Sequence, residues 1–322
     1  MILEEVKSGK AAREFLDVAR ELYKDDLFWV CPLDKDVEAV FDPKRNVFHS
    51  HGTCTRWILK SDDGKLIGRI AAFINEEKAY QHEQPTGGMG FFECINNPNA
   101  AKLLFDTAKS WLQERGMLAM DGPINFGEND SFWGLLIEGF TTPSYGMNYH
   151  HSYYKKMFED YGFYVLYEQI TNHLDVRKPF PERFTKIAQW VAAKQGYEFR
   201  YLETDKLEKF AEDFAEIYND AWENFKNFVP LEKKGILESF TKMKTVMDEK
   251  LIWFAYINGE PASVIVIIPD ANQMIKSFNG KLGIIEKLKF LYNRWRGVNR
   301  MRAVVMGTKK AYQKHGLESA LF

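Results

Sequence analysis

Cysteine is scarce in this sequence: Cys31, Cys54 and Cys94 are the only three in 322 residues. Their odd number and wide spacing, with no C-x-x-C pair, argue against a disulfide framework and a cysteine-built zinc site. Long apolar runs are missing too. The longest, ASVIVII at 262–268, is far too short to cross a bilayer, and no membrane partner is expected. The N-terminal MILEEVKSGK lacks the basic segment and extended apolar core of a secretion signal. A reduced, cytoplasmic setting fits these absences. There is also no P-loop, no G-x-G-x-x-G dinucleotide fingerprint and no Ser/His/Asp ordering.

Neither sign of charge prevails. The chain has 43 Lys and Arg against 45 Asp and Glu, a net charge of -2, which by itself implies no polyanionic partner. The distribution is nevertheless uneven. Between Met274 and His315, eleven basic residues (276, 281, 287, 289, 294, 296, 300, 302, 309, 310 and 314) stand beside a single acid, Glu286. That stretch reads either as a solvated helical face or as a surface for a phosphorylated ligand or nucleic acid. Present in quantity are apolar and aromatic residues, 45% and 15%, enough for large aromatic-rich cores. At this length two domains are expected.

An internal repeat supports that expectation. RWILKSDDGKLIGRIAAFIN (56–75) and LIWFAYINGEPASVIVIIPD (251–270) each read as apolar strand, Asp-Gly or Asn-Gly turn, apolar strand, which predicts two β-hairpins. Each is preceded by a strand and an amphipathic helix. Before the second hairpin, Leu207, Phe210, Phe214, Ile217, Ala221 and Trp222 recur at helical spacing. After each comes another strand and a helix. In the first half these are GGMGFFECI (87–95) and 97–116, with Asn97 as N-cap and Pro98 at the first helical position. In the second they are MRAVVMG (301–307) and a helix beginning near Gln313. The order strand, helix, hairpin, strand, helix, repeated twice, predicts a tandem α/β duplication. The expected boundaries are a first domain at 1–175, a linker helix at 176–196 and a second domain at 197–322.

The second strand-to-helix junction, VVMGTKKAYQKHGLESAL (304–321), resembles the acyl-CoA-binding motif of the GNAT superfamily of N-acetyltransferases, with Tyr312, Gln313 and Gly316 matching. In such a motif, backbone N–H groups of a Gly-containing loop at a helix N-terminus cradle the pyrophosphate of coenzyme A. Glu318 departs from the family's small residue and places a carboxylate where it would repel a pyrophosphate. The resemblance implies an α/β (α+β) fold of two tandem GNAT-like domains, mixed central sheets flanked by helices. It also implies acetyl-CoA as co-substrate and a small-molecule or peptide amine as acceptor. The cofactor residues it points to are Val305, Met306, Gly307, Gln313, Lys314, His315, Gly316 and Leu317. A GNAT domain normally continues beyond this helix, so the second copy is expected to be truncated at its C-terminus.

The first copy also looks GNAT-like, with an eroded cradle at INNPNAAKLL (95–104). In NYHHSYYKKMFEDYGF (148–163), Phe158 stands where many relatives carry a general-acid tyrosine, and Tyr154 lies one turn earlier. Glu93 falls on the strand where some GNAT enzymes place a base; the other reading is an edge-strand surface carboxylate. Tyr154 and Glu93 are thus the candidate catalytic residues. The segment 121–154, dense in Gly, Pro, Asn and aromatics, is a candidate acceptor-binding loop or a self-packed Ω-like loop. It supplies Asn125, Trp133 and Tyr149 as substrate candidates. No metal is expected: His49 with His51, and His150 with His151, have no third ligand at a recognised spacing. Two other functions remain open, a tRNA-dependent aminoacyl transferase using the basic stretch and a non-catalytic ligand-sensing or partner-binding pair.

Overall fold

The computed structural model describes residues 1–81, 83–128, 131–225, 228, 230–244 and 247–322. In chain order the first elements are β1 (Ile2–Glu5), α1 (Gly9–Leu22), α2 (Asp34–Phe41), β2 (Gly52–Lys60), β3 (Leu66–Asn75), α3 (Glu76–Ala79), β4 (Thr86–Cys94), α4 (Pro98–Gln113), β5 (Ala119–Asp121) and α5 (Tyr154–Tyr161). There follow α6 (Glu182–Ala192), β6 (Tyr197–Tyr201), α7 (Leu207–Trp222), α8 (Lys233–Met243), β7 (Ile252–Ile257), β8 (Glu260–Pro269), α9 (Ala271–Ile275), α10 (Ile284–Arg296), β9 (Met301–Thr308) and α11 (Leu317–Leu321).

Two compact units emerge, Met1–Glu168 with Asn272–Gly297, and Gln169–Ala271 with Val298–Phe322. The sequence reading ran a second domain unbroken from 197 to 322. In the structure, 272–297 goes with the first unit. Asn272 Nδ2 donates to the Pro143 carbonyl at 2.8 Å, Lys276 Nζ to the Leu27 carbonyl at 2.7 Å, and the Asp34 N–H to the Gly280 carbonyl at 2.8 Å. Bonds to carbonyls so distant in sequence leave no trace in local periodicity.

In the first unit the sheet order is β1-β2-β3-β4-β5, antiparallel except for the parallel β4–β5 pair. β3 is buried along nearly its whole length, as a strand covered on both faces must be. One face carries Trp57, Leu59, Ile70, Ala72 and Met89 against the stripe Ala101, Leu104, Phe105, Ala108 and Leu112 of α4. The other carries Ile58 against Ala11, Phe15, Leu16 and Val18 of α1. α4 starts as expected: the Asn97 side chain accepts from the N–H groups of Asn99 and Ala100, with Pro98 at the first position, a cap contributing about 1 kcal/mol.

In the second unit the antiparallel sheet runs β6-β7-β8-β9. Phe254, Tyr256, Val264 and Val266 face Phe210, Phe214 and Ile217 of α7. The alternate residues Ala255, Ile257 and Ile265 face Val191 of α6 and Leu317 and Leu321 of α11. The β7–β8 turn takes its Asn-Gly pair through φ 52 and 86 at Asn258 and Gly259, the double left-handed geometry of a two-residue hairpin. The expected helix near Gln313 begins only at Leu317; Lys310–Tyr312 forms a single 3-10 turn, and Gln313 is extended. Sequence reading missed α2 and α8, which take the same place in the two halves between the first helix and the hairpin, and α10, which has no counterpart in the first half.

Candidate functional site

Glu93 owes its position to a bulge. β3 and β4 pair Arg69 with Glu93 and Ala71 with Gly90, so one residue too many sits on β4. The extra residue falls at Phe91, with φ 50. Strict alternation from Met89 would send Glu93 into the apolar layer under α4. The bulge resets the phase, so Phe92 and Cys94 join that layer and Glu93 turns to the α1 side beside Arg69. The carboxylate is 7% exposed and β4 is an interior strand, which corrects the edge-strand surface reading.

Around Glu93 the contacts are specific. Its Oε2 accepts from the hydroxyls of Tyr23 and Tyr154, each at 2.8 Å. The Arg69 guanidinium lies 3.5 Å from Oε1 and donates from Nη1 to the Phe15 carbonyl at 2.9 Å. The Tyr154 hydroxyl in turn accepts the Cys94 N–H at 2.8 Å, and Tyr153 donates to the Cys94 carbonyl at 2.8 Å. Tyr154 is completely buried, so its hydroxyl is committed to Glu93 and to the strand. Phe158 points to the same side of α5 and packs on Phe92 and Phe105, ring centroids 5.3 and 4.9 Å away.

A cavity of about 50 Å³ opens beside this cluster, with Glu93, Arg69, Phe91, Trp29, Tyr149 and His150 in its walls. That volume suits a small polar head such as an ammonium group or a few waters. Burial pushes the Glu93 carboxyl above the usual glutamate range, against the lowering effects of Arg69 and the two tyrosines. Burial first, then the neighbouring Glu93, raises the Tyr23 and Tyr154 hydroxyls far above theirs, so both stay protonated. Burial, with some help from His151 and Arg69, depresses His150 to about 3; neutral, its Nδ1 accepts the Leu136 N–H at 3.1 Å. The Arg69 Nε is buried with no partner among the described residues, a donor left for an incoming oxygen. Burial lifts the thiols of Cys31 and Cys54 to about 11 and Cys94 to about 12, so none offers a thiolate nucleophile at neutral pH.

Of the substrate candidates, Tyr149 lines the cavity, its hydroxyl donating to Asp26 at 2.9 Å. Asn125 and Trp133 lie elsewhere in the same loop; Asn125 Oδ1 and Trp133 Nε1 are buried without a partner among the described residues. Tyr23 and Arg69 were not singled out by the sequence reading. Tyr23 sits at the C-terminus of α1, and nothing in its neighbourhood signals a partner 70 residues away.

The second unit holds a separate cleft of about 420 Å³, lined by Met306, Gly307, Thr308, Gln313, Lys314 and Glu318. Four of the eight expected cofactor residues are in its walls. The others act differently. Val305 packs toward α7, His315 Nδ1 lies 3.2 Å from the Tyr197 hydroxyl, Gly316 turns the loop at φ 83, and Leu317 is core. Thr308, missed in sequence, is fixed by Ser263 at 2.7 Å. The loop is braced by the Lys309 N–H on the Ala262 carbonyl at 2.9 Å and by Tyr312 donating to Glu260 at 2.9 Å.

The two strands that precede the helices differ in what covers their outer edge. β9 pairs with β8 on one side, and its other edge has no strand partner among the described residues. β4 is filled: β5 pairs with Thr86–Gly88, the Ile124 N–H donates to the Met89 carbonyl at 2.8 Å, and a Cβ at Gly90 would run into the Ile124 carbonyl. An extended ligand that hydrogen-bonds to strand backbone finds room on β9 and none on that stretch of β4.

Over 318 residues the chain is 29% identical to the bacterial ceramide synthase of Caulobacter vibrioides, an alignment covering 96% of this chain and 80% of that protein. It is 27% identical over 307 residues to protein YghO of Escherichia coli, covering 94% of this chain and 77% of YghO. Among solved structures, a GCN5-related glucosamine N-acetyltransferase region in a fungal multi-domain β-N-acetylglucosaminidase covers 99% of this chain and 33% of its own, at 10% identity and a TM-score of 0.49. No protein-family model matches. The chain thus has an α/β architecture of two sheets flanked by helices, the first sheet mixed and the second antiparallel among the described residues.

Proposed function

We propose that this protein is an acyl-CoA-dependent N-acyltransferase acting on a primary amine. The observation that carries the reading is the cleft formed by Met306, Gly307, Thr308, Gln313 and Lys314, where the acyl-CoA resemblance had placed the donor. The edge of β9 that has no strand partner among the described residues suits the amide groups of a pantetheine arm, and the Gln313–Gly316 loop suits the phosphates. Glu318 in the same cleft opposes a pyrophosphate, and Lys314 beside it offsets that repulsion. The fit is therefore to a CoA thioester held with reduced affinity.

Acyl transfer requires an ammonium to lose a proton, its nitrogen to attack the thioester carbonyl carbon, and the C–S bond to break with the thiolate taking up a proton. The chemistry of Glu93 in the first unit suits the first step, while the cleft that suits the donor belongs to the second unit. The burial of Glu93 raises its proton affinity above that of an ordinary glutamate, the direction that suits a general base. Tyr23 and Tyr154 hold the carboxylate in place by donating to Oε2, so Tyr154 is a positioning residue in this scheme rather than the general acid. The raised thiols leave direct attack by the amine as the route.

The acceptor class follows from the named relative. A ceramide is an amide of a long-chain amino alcohol, and a relative so named over 96% of this chain supports an aliphatic amino alcohol here, with an acetyl or longer acyl donor. The test is calorimetric titration of acetyl-CoA and a long-chain acyl-CoA, followed by an assay of thiol release with a long-chain amino alcohol. Binding that disappears in Gln313→Ala with Gly316→Glu supports the reading. No binding of either thioester by the unaltered chain would sink it.

A further inference from the structure

Of the basic stretch noted in the sequence only Lys314 lines a cavity, and four of its other cations lie on α10. This helix is exposed on its apolar side: Ile284 and Trp295 are 79% and 82% accessible, and Ile285, Leu288, Leu291 and Tyr292 are also exposed. At 100° per residue these six positions fall within one arc of about 120°. Lys289 and Arg296 border the arc on one side, Lys287 and Arg294 on the other. The opposite face, with Glu286, Phe290 and Asn293, is half-buried and tied down by Asn293 Nδ2 donating to the Met274 carbonyl at 2.8 Å.

We infer that α10 is an interfacial helix that docks the first unit onto an anionic phospholipid bilayer, its apolar arc in the headgroup boundary and its cationic borders on lipid phosphates. An apolar arc with aromatic residues and Lys/Arg at both margins is the pattern of a helix lying in the membrane plane. No helix of the described residues is long and apolar enough to cross a membrane, so the docking is peripheral. The charges also select the occupant. A second copy meeting this face about a twofold axis would bring the four cations against their own kind, with only Glu286 among the helix's thirteen residues to compensate, whereas anionic headgroups neutralise them.

The helix is joined to the walls of the Glu93 cavity. Lys276, in the segment leading to it, donates to the Leu27 carbonyl, and Leu27 and Phe28 are exposed just before the cavity residues Trp29, Val30 and Pro32. Asn272 in the same segment holds the Pro143 carbonyl, and Pro143 is another wall residue. Docking through α10 would therefore hold these walls close to the lipid surface.

The experiment is co-sedimentation of the full chain with phosphatidylcholine vesicles, with and without phosphatidylglycerol, at low and high salt. Binding needs no turnover, so its outcome is independent of the acyltransfer reading. The unaltered protein is expected to sediment only with the anionic vesicles and to be released by salt. Leu288→Ser with Trp295→Ser, and separately Lys287→Glu with Arg296→Glu, should each lower vesicle affinity by about tenfold or more with unchanged unfolding curves. Three results would overturn the inference: no binding by the unaltered protein, equal binding by the variants, or self-association in the absence of lipid that the Leu288/Trp295 variant abolishes.

Discussion

Arg69 and Glu93 stand opposite each other across β3 and β4, 3.5 Å apart, because the chain bulges at Phe91 and turns the carboxylate away from the α4 core. A buried carboxylate beside a buried guanidinium is costly unless both are hydrogen-bonded. Here Tyr23, Tyr154 and the Phe15 carbonyl supply those bonds. The cluster is thus a hydrogen-bonded polar unit within an apolar layer, with one face on a cavity and the Arg69 Nε left without a partner among the described residues.

Replacing Glu93 with Gln keeps the size and the contacts with the tyrosines and removes the base. Turnover measured by thiol release should fall about a hundred- to ten-thousandfold, with acyl-CoA affinity unchanged. In the unaltered protein the rate should rise with pH through a carboxyl pKa lying above the ordinary glutamate value, because burial raises it. That acidic limb should be absent from Glu93→Gln. Retention of full turnover would remove Glu93 from the reaction.

Tyr154→Phe deletes a hydrogen bond that favours the charged carboxylate, so the Glu93 pKa should climb further and the acidic limb should move to higher pH. kcat should fall while KM for the acyl donor stays constant. A purely structural role would lower stability and leave the limb where it was. Some destabilisation, about 1–3 kcal/mol, accompanies the change, since the buried Cys94 N–H loses its acceptor.

His150 makes stability depend on pH in a stated direction. Its folded pKa is depressed by burial from 6.5 to about 3. The stability it contributes is therefore fully present above about pH 6.5 and is lost as pH falls toward 3. Thermal unfolding across that window should decline more steeply for the unaltered protein than for His150→Gln. Parallel curves would show that the imidazole titrates as freely folded as unfolded.

Glu318→Gln removes the carboxylate from the cleft proposed to hold the donor's phosphates. Calorimetry should find acyl-CoA bound about fivefold more tightly, a gain that shrinks as salt is raised. Gly90→Ala should lower the stability of the first unit, because its Cβ collides with the Ile124 carbonyl, and leave donor affinity in the second unit unchanged. Weaker binding in Glu318→Gln would place the phosphates elsewhere.

Much of the architecture was legible locally. Asn258-Gly259 specified its hairpin because few other pairs accept two left-handed residues, and Asn97-Pro98 specified the start of α4 because cap and ring each suit only that position. The stripe Phe210, Phe214, Ile217 announced α7 by its spacing. α10 escaped because its apolar arc faces outward, where it serves no core and follows no repeat.

What the sequence determined by itself is the repeated order of strand, helix, hairpin, strand and helix, and four residues that line the second unit's cleft, Met306, Gly307, Gln313 and Lys314. These depend on periodicity, turn chemistry and a loop a few residues long. Only the tertiary structure decided that Tyr23 and Arg69 meet Glu93, that residues 272–297 return to the first unit, and that the outer edge of β4 is covered by β5 and Ile124. Each of these depends on a single bulge or on hydrogen bonds between residues far apart in the chain, and a one-residue shift in strand phase is invisible until the neighbouring strand fixes its register.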